Sequence, residues 1–281
     1  MLVTTRKMLD DARDGGYAVG AFNAENAEMV WGIVAAAEEL RAPVIIQTTS
    51  STLKHLSPAY FGGIVAAAAR EASVPVALHL DHGASYELAR ECIENGYTSV
   101  MIDGSMFPFD ENAELARQVN NHAKAYGIPV EAELGTIGGK EDATVSASSQ
   151  YTDPDQAAEY VRRSGITSLA ISIGTAHGFY QTPPVLDLSR ITAIREKVTL
   201  PLVMHGASGI ADDLVREAAS LGMAKVNFAT ELRVAFSDAV KAHLAAHPDV
   251  FDPKKYLTDA RLAVKELVKH KMCVCGCDGR A

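Results

Sequence analysis

Three histidines occupy equivalent places in this chain. His82, His177 and His205 each follow an apolar, strand-like run and precede a Gly-rich turn, in the segments HLDHG, GTAHGF and MHGASG. Three neutral imidazoles that leave one coordination position open form a catalytic zinc site. Asp81 directly precedes His82, where a carboxylate can transfer protons beside the metal. This chemistry requires the three strands to lie in one parallel sheet with their ends together.

The surrounding sequence supplies such a sheet. Strand-like runs fall at Tyr17–Phe22, Val44–Gln47, Val76–Leu80, Ser99–Ile102, Val130–Leu134, Ser168–Ile173, Leu202–Met204 and Lys225–Phe228. Most are short and apolar, as in strands buried on both faces. Helical patterns separate them, and Pro43, Pro75, Pro129 and Pro201 stand at or just before strand entries. Eight such units match a (β/α)8 barrel better than an open, doubly wound sheet. Met8, Leu9 and Ala12 predict a short N-terminal helix, and the chain after the last strand a C-terminal helical extension. No linker or low-complexity segment divides the chain, so residues 1–281 read as a single domain.

In a barrel the active site lies at the C-terminal strand ends. Those ends carry Asn23, Gln47 to Thr49, Asp81 with His82, Asp103, Glu133, His177, His205 and Asn227. Strand alternation would turn Asp81 and His82 to opposite faces unless it breaks there. Ser85, better placed than Asp81, is the expected cap of the next helix. His79, inside its strand, reads as structural. His55, His122, His243, His247 and His270 read as solvated.

The turns HGASGIADD and NFATEL precede helices and offer backbone N–H groups with the Ser208 and Thr230 hydroxyls and Asn227. Phosphate binds at such helix N-termini in barrels. Gly206 and Gly209 permit close backbone approach. The longest irregular stretch, Gly135 to Thr152, has the length of a lid and carries Glu141, an acid placed to act as a base over bound substrate.

Composition narrows the partners. A net charge of −9 argues against general nucleic-acid binding. No apolar run approaches the ~20 residues of a membrane span, and the N-terminus lacks the apolar stretch of a signal peptide. Four cysteines, three of them in the tail cluster Cys273, Cys275 and Cys277, read as reduced thiols of a cytoplasmic protein.

Together LHLDHG, VEAELGTIGGKED, IGTAHG, LVMHGASG and KVNFATEL resemble the zinc-dependent class II ketose-bisphosphate aldolases, in order and over essentially the whole chain. NFATEL and the tail CGCDGRA are most similar to the D-tagatose-1,6-bisphosphate aldolase catalytic subunits. Ala229 stands where dimeric bacterial fructose-bisphosphate aldolases tend to carry an acid. The resemblance implies that His82, His177 and His205 hold Zn2+. It implies that Asp81 serves the C4 hydroxyl and Glu141 the C3 proton. It places phosphate or substrate at Asn23, Thr49, Gly178, Gly206, Ser208, Asn227 and Thr230. A monovalent cation (Na+ or K+) would bind at glycines beside the ligands, and Asp103 and Glu133 would lie behind the metal or at a secondary metal locus. It further implies a homodimer or homotetramer, with an accessory subunit in some relatives.

The reaction expected is cleavage of the C3–C4 bond of a ketose 1,6-bisphosphate, with tagatose favoured over fructose or another phosphorylated ketose. The products would be dihydroxyacetone phosphate and glyceraldehyde 3-phosphate. Polarisation of the C2 carbonyl would hold the charge as an enediolate. A Schiff-base aldolase needs a strand-end lysine, and Lys225 enters its strand instead. A metal-dependent hydrolase and a non-catalytic accessory barrel are the remaining readings.

Overall fold

The computed structural model describes residues 1–141, 144–146, 150–180 and 182–281, with residues 140, 141 and 144–146 described in their backbone alone. Strands β1 (Val19–Asn23), β2 (Val44–Thr48), β3 (Val76–Gly83), β4 (Ser99–Ile102) and β5 (Val130–Leu134) follow one another around a parallel barrel. An antiparallel hairpin of β6 (Gly138–Glu141) and β7 (Thr144–Ser146) then stands outside it. β8 (Ser168–Ile171) returns to the barrel, and the short β9 (Ala176–His177) pairs with β6. β10 (Leu202–Met204) and β11 (Met223–Phe228) complete the ring, β11 closing against β1. This is the expected (β/α)8 barrel.

Helix α1 (Thr5–Gly15) precedes the barrel, burying Met8, Leu9 and Ala12. The connections are α2 (Ala27–Leu40), α3 (Ser50–His55), α4 (Pro58–Glu71), α5 (Tyr86–Glu94), α6 (Phe109–Lys124), α7 (Pro154–Ser164), α8 (Leu188–Arg195) and α9 (Asp212–Leu221). α10 (Thr230–Ala246) follows the last strand, and α11 (Pro253–Cys275) packs on α2 and α10. A Cβ on Gly32 would lie 2.7 Å from the Arg261 carbonyl, so glycine permits the close approach of α2 to α11. Among the described residues no helix is long and apolar enough to cross a membrane.

Local chemistry explains the elements. The barrel strands are buried along almost their whole length, which their apolar runs require. The Ser85 hydroxyl accepts the Leu88 N–H at 3.2 Å and caps α5. Asp153 before Pro154 and Asp252 before Pro253 open α7 and α11 in the same manner.

Two expectations need correction. The Gly135–Thr152 stretch is not wholly irregular: it contains β6, β7 and a Thr136–Gln150 bridge. β3 does not stop at Leu80 but runs to Gly83, with a register shift against β4 between Leu80 and Gly83.

Candidate active site

That irregularity in β3 brings two adjacent side chains to one mouth. His82 adopts φ 45°, uncommon for a residue other than glycine. The strand alternation breaks there. Asp81 remains buried within the barrel mouth while His82 turns toward β4 and β10.

The three histidines converge. His82, His177 and His205 each present a ring nitrogen within 4.8 Å of the other two. Nε2 of His82 lies 2.7 Å from Nδ1 of His205. The second nitrogen of each of these rings meets a carboxylate: Nδ1 of His82 lies 2.7 Å from Asp103, and Nε2 of His205 lies 2.8 Å from Glu131. Carboxylates in this position orient metal-binding imidazoles and select their tautomer. Burial lowers the pKa of His205 against the pull of Glu131, which favours the neutral ring a metal needs. The donor set therefore fits a zinc ion. Glu133, with an oxygen 3.8 Å from Nδ1 of His205, forms a second potential ligand group with His82 and Asp103.

His177 is placed from outside the barrel. Its strand β9 lies on the hairpin, with Gly139 opposite His177. Gly139 has φ 94°, and a Cβ there would lie 2.3 Å from the His177 carbonyl oxygen. The Tyr180 hydroxyl accepts the Ala176 N–H and donates to the Gly206 carbonyl, tying the His177 turn to the His205 turn.

Asp81 sits among neutral donors. Asn23 and Gln47 donate to Oδ2 at 3.0 and 3.2 Å, and Asn227 donates to Oδ1 at 3.1 Å. Gln47 also donates to Oδ1 of Asn23 at 2.7 Å. Three amides fix the carboxylate without neutralising it, as suits a group that exchanges a proton.

Beside His177 a cavity is lined by Asn23, Gly178, Gly206, Ser208, Asn227, Ala229, Thr230 and Arg233. It meets the start of α10, where Ala229 provides no side-chain cap. The Ser208 hydroxyl accepts the Ala229 N–H at 3.2 Å, and the N–H of Glu231 points toward it at 3.5 Å. A helix N-terminus with its dipole directed into a cavity attracts anions. Arg233 adds a guanidinium, held 2.6 Å from Glu25.

Six of the seven expected phosphate or substrate residues thus share this cavity. Thr49 does not: it is fully buried, and its hydroxyl caps α3. The Glu141 side chain lies outside the described residues. His79 is buried, its Nδ1 2.8 Å from Ser99. His55, His247 and His270 are exposed as expected, but His122 and His243 are half-buried. His122 packs on Tyr86 and Tyr126, and His243 pairs with Asp259.

Sequence reasoning missed the layer beneath the mouth. Glu131 and Lys225 are fully buried, with Nζ 3.0 Å from Oε2. Burial opposes ionisation of Glu131, but Lys225 and His205 outweigh it and hold the carboxyl below its usual range. Lys225 is the third residue of β11 rather than its entry. Both residues precede named candidates, Glu133 and Asn227, by two, and that period was the available signal.

A closed barrel with three imidazoles, a carboxylate and a helix N-terminus at one mouth has the arrangement of an enzyme active site that could hold a metal. The family model for class-II fructose-bisphosphate aldolase matches residues 3–280, and the chain belongs to that family. It is a carbon–carbon lyase. Its structure is similar to that of the YdjI aldolase from Escherichia coli K12, with 40% identity, full coverage of both chains and a TM-score of 0.90. The fold is also that of the fructose-bisphosphate aldolase from Campylobacter jejuni, with 22% identity, 100% and 97% coverage and a TM-score of 0.84.

Proposed function

We propose that the chain, as one barrel domain over residues 1–281, cleaves and forms the C3–C4 bond of a ketose 1,6-bisphosphate, with tagatose 1,6-bisphosphate favoured. The products are dihydroxyacetone phosphate and glyceraldehyde 3-phosphate. The observation that carries this reading is the meeting of the three imidazoles, the amide-held Asp81 and the α10 cavity at one mouth. Ala229 supports the choice of tagatose, because the cavity receives no carboxylate from that position.

His82, His177 and His205 hold the zinc ion. When bound, that ion supplies a Lewis acid for the C2 carbonyl. Gly178, Gly206, Ser208, Asn227 and Thr230 grip the dihydroxyacetone phosphate end, whose phosphate faces the start of α10. Asp81 accepts the C4 hydroxyl proton as the aldehyde departs, while Asn23, Gln47 and Asn227 keep its oxygens aimed. Glu141 returns a proton to C3. Arg233, at the outer edge of the cavity, supplies a cation for the far phosphate. A monovalent cation (Na+ or K+) beside the ligand turns and a cytoplasmic homodimer or homotetramer complete the proposal, with an accessory subunit as a further partner.

A panel of ketose 1-phosphates and 1,6-bisphosphates, assayed with and without chelator, tests it. Tagatose 1,6-bisphosphate should be cleaved fastest, and chelation should abolish cleavage. Phosphate release without carbon–carbon cleavage would instead assign a hydrolase.

A further inference from the structure

We infer that Lys271, on α11, is a positioning residue of the phosphate turn: it supplies the charge that lets Glu231 brace the turn at Gly209 without repelling a bound anion. This rests on reading that turn as the phosphate site.

Lys271 is a lysine with a nearly buried side chain, 7% exposed. Its Nζ lies 3.1 Å from Oε2 of Glu231, 3.5 Å from Oδ1 of Asp212 and 5.5 Å from the Phe228 ring centroid. The other Glu231 oxygen, Oε1, accepts the N–H of Gly209 within the turn. Asp212 opens α9 just beyond the turn and also meets Nε2 of His270 at 2.7 Å. One ammonium therefore links the two carboxylates that flank the turn.

The arrangement answers a conflict. A carboxylate that accepts a turn's N–H fixes the turn strongly. The same carboxylate places negative charge beside a dianion. Lys271 cancels that charge from the far side, leaving the α10 N-terminus to attract the phosphate. Loss of the ammonium leaves partly buried carboxylates uncompensated.

The test compares zinc-loaded full-length wild type with Lys271→Arg, Lys271→Met and Lys271→Met/Glu231→Gln. Dissociation constants for inorganic phosphate and dihydroxyacetone phosphate are measured together with KM and kcat. Lys271→Met should weaken both ligands and raise KM about ten-fold, the scale of one unscreened charge near a dianion, with little change in kcat. Lys271→Arg should retain affinity, and the double variant should recover most of it. Unchanged affinity in Lys271→Met, or a double variant no tighter than the single, overturns the inference. If Lys271→Met does not fold, the double variant decides against wild type: near-equal affinity supports the inference, and a ten-fold loss overturns it. Wild type that binds neither ligand would overturn the phosphate reading itself. Wild type that binds both, beside an unaffected Lys271→Met, removes only the role of Lys271.

Discussion

The carboxylate of Asp103 lies 2.7 Å from Nδ1 of His82 and fixes that ring with Nε2 toward the other imidazoles. Burial opposes ionisation of Asp103, but the bond from His82 outweighs it and holds the carboxyl below its usual range. Asp103→Asn should lower zinc affinity about 10–100-fold, the usual effect of losing such a partner. Competition with a chromogenic chelator measures this, and unchanged affinity would leave Asp103 without a part in holding the metal.

Asp81→Ala should reduce kcat by about 10²–10⁴-fold, the range for a general acid or base. Zinc content should stay at one ion per chain, because Asp81 bonds to amides rather than to the ligand histidines. Metal analysis beside the kinetics separates the two roles, and loss of zinc would recast Asp81 as structural.

Borohydride added with substrate should leave activity intact. Lys225 is fully buried against Glu131 and is not available to a carbonyl. Lys225→Met should cost about 3–5 kcal/mol of stability, since it strands the Glu131 carboxylate in the barrel. Denaturant unfolding measures that cost, and a borohydride-trapped adduct would point to Schiff-base chemistry.

Gly139→Ala should disturb His177 while leaving the barrel folded. The added Cβ would lie 2.3 Å from the His177 carbonyl oxygen, at a φ of 94°. Zinc affinity and kcat should fall together, with far-ultraviolet circular dichroism unchanged. Wild-type zinc affinity would show that the hairpin does not set this ligand.

Much of this was legible in the sequence because strands buried on both faces leave uninterrupted apolar runs. The Ser99–Ile102, Val130–Leu134 and Leu202–Met204 boundaries coincide with the observed strands. The His82 and His205 motifs marked ends of barrel strands, where a barrel gathers its chemistry, whereas His177 lies beyond the end of β8, on β9. Thr49 caps α3 rather than lining the cavity, a distinction hidden in the sequence because a strand-end hydroxyl and a helix cap share one local pattern. The pairing of Glu131 with Lys225 was not legible because the two residues lie on strands distant in sequence. Tyr180 gave no periodic signal, since it acts by joining two turns.

Stability should fall as pH drops below about 6.5, the unperturbed histidine value. Burial first, and Lys225 second, push His79 well below that value against the pull of Glu131. Between the folded and unfolded values the unfolded chain binds a proton that the folded chain refuses. Each such histidine contributes a slope of up to about 1.4 kcal/mol per pH unit. Denaturant unfolding of metal-free protein from pH 7.5 to about 5.5 should show this slope, and His79→Gln should flatten it. An identical slope in that variant would assign the effect elsewhere.

The donors around Asp81 come from β1, β2 and β11, so they include both the first and the last strand of the ring. This environment of Asp81 therefore cannot exist in any partly wound barrel. A chain that has formed every strand but not sealed the seam between β1 and β11 lacks the Asn227 contact. Recovery of activity during refolding would then mark the sealing of that seam rather than the appearance of helices or strands.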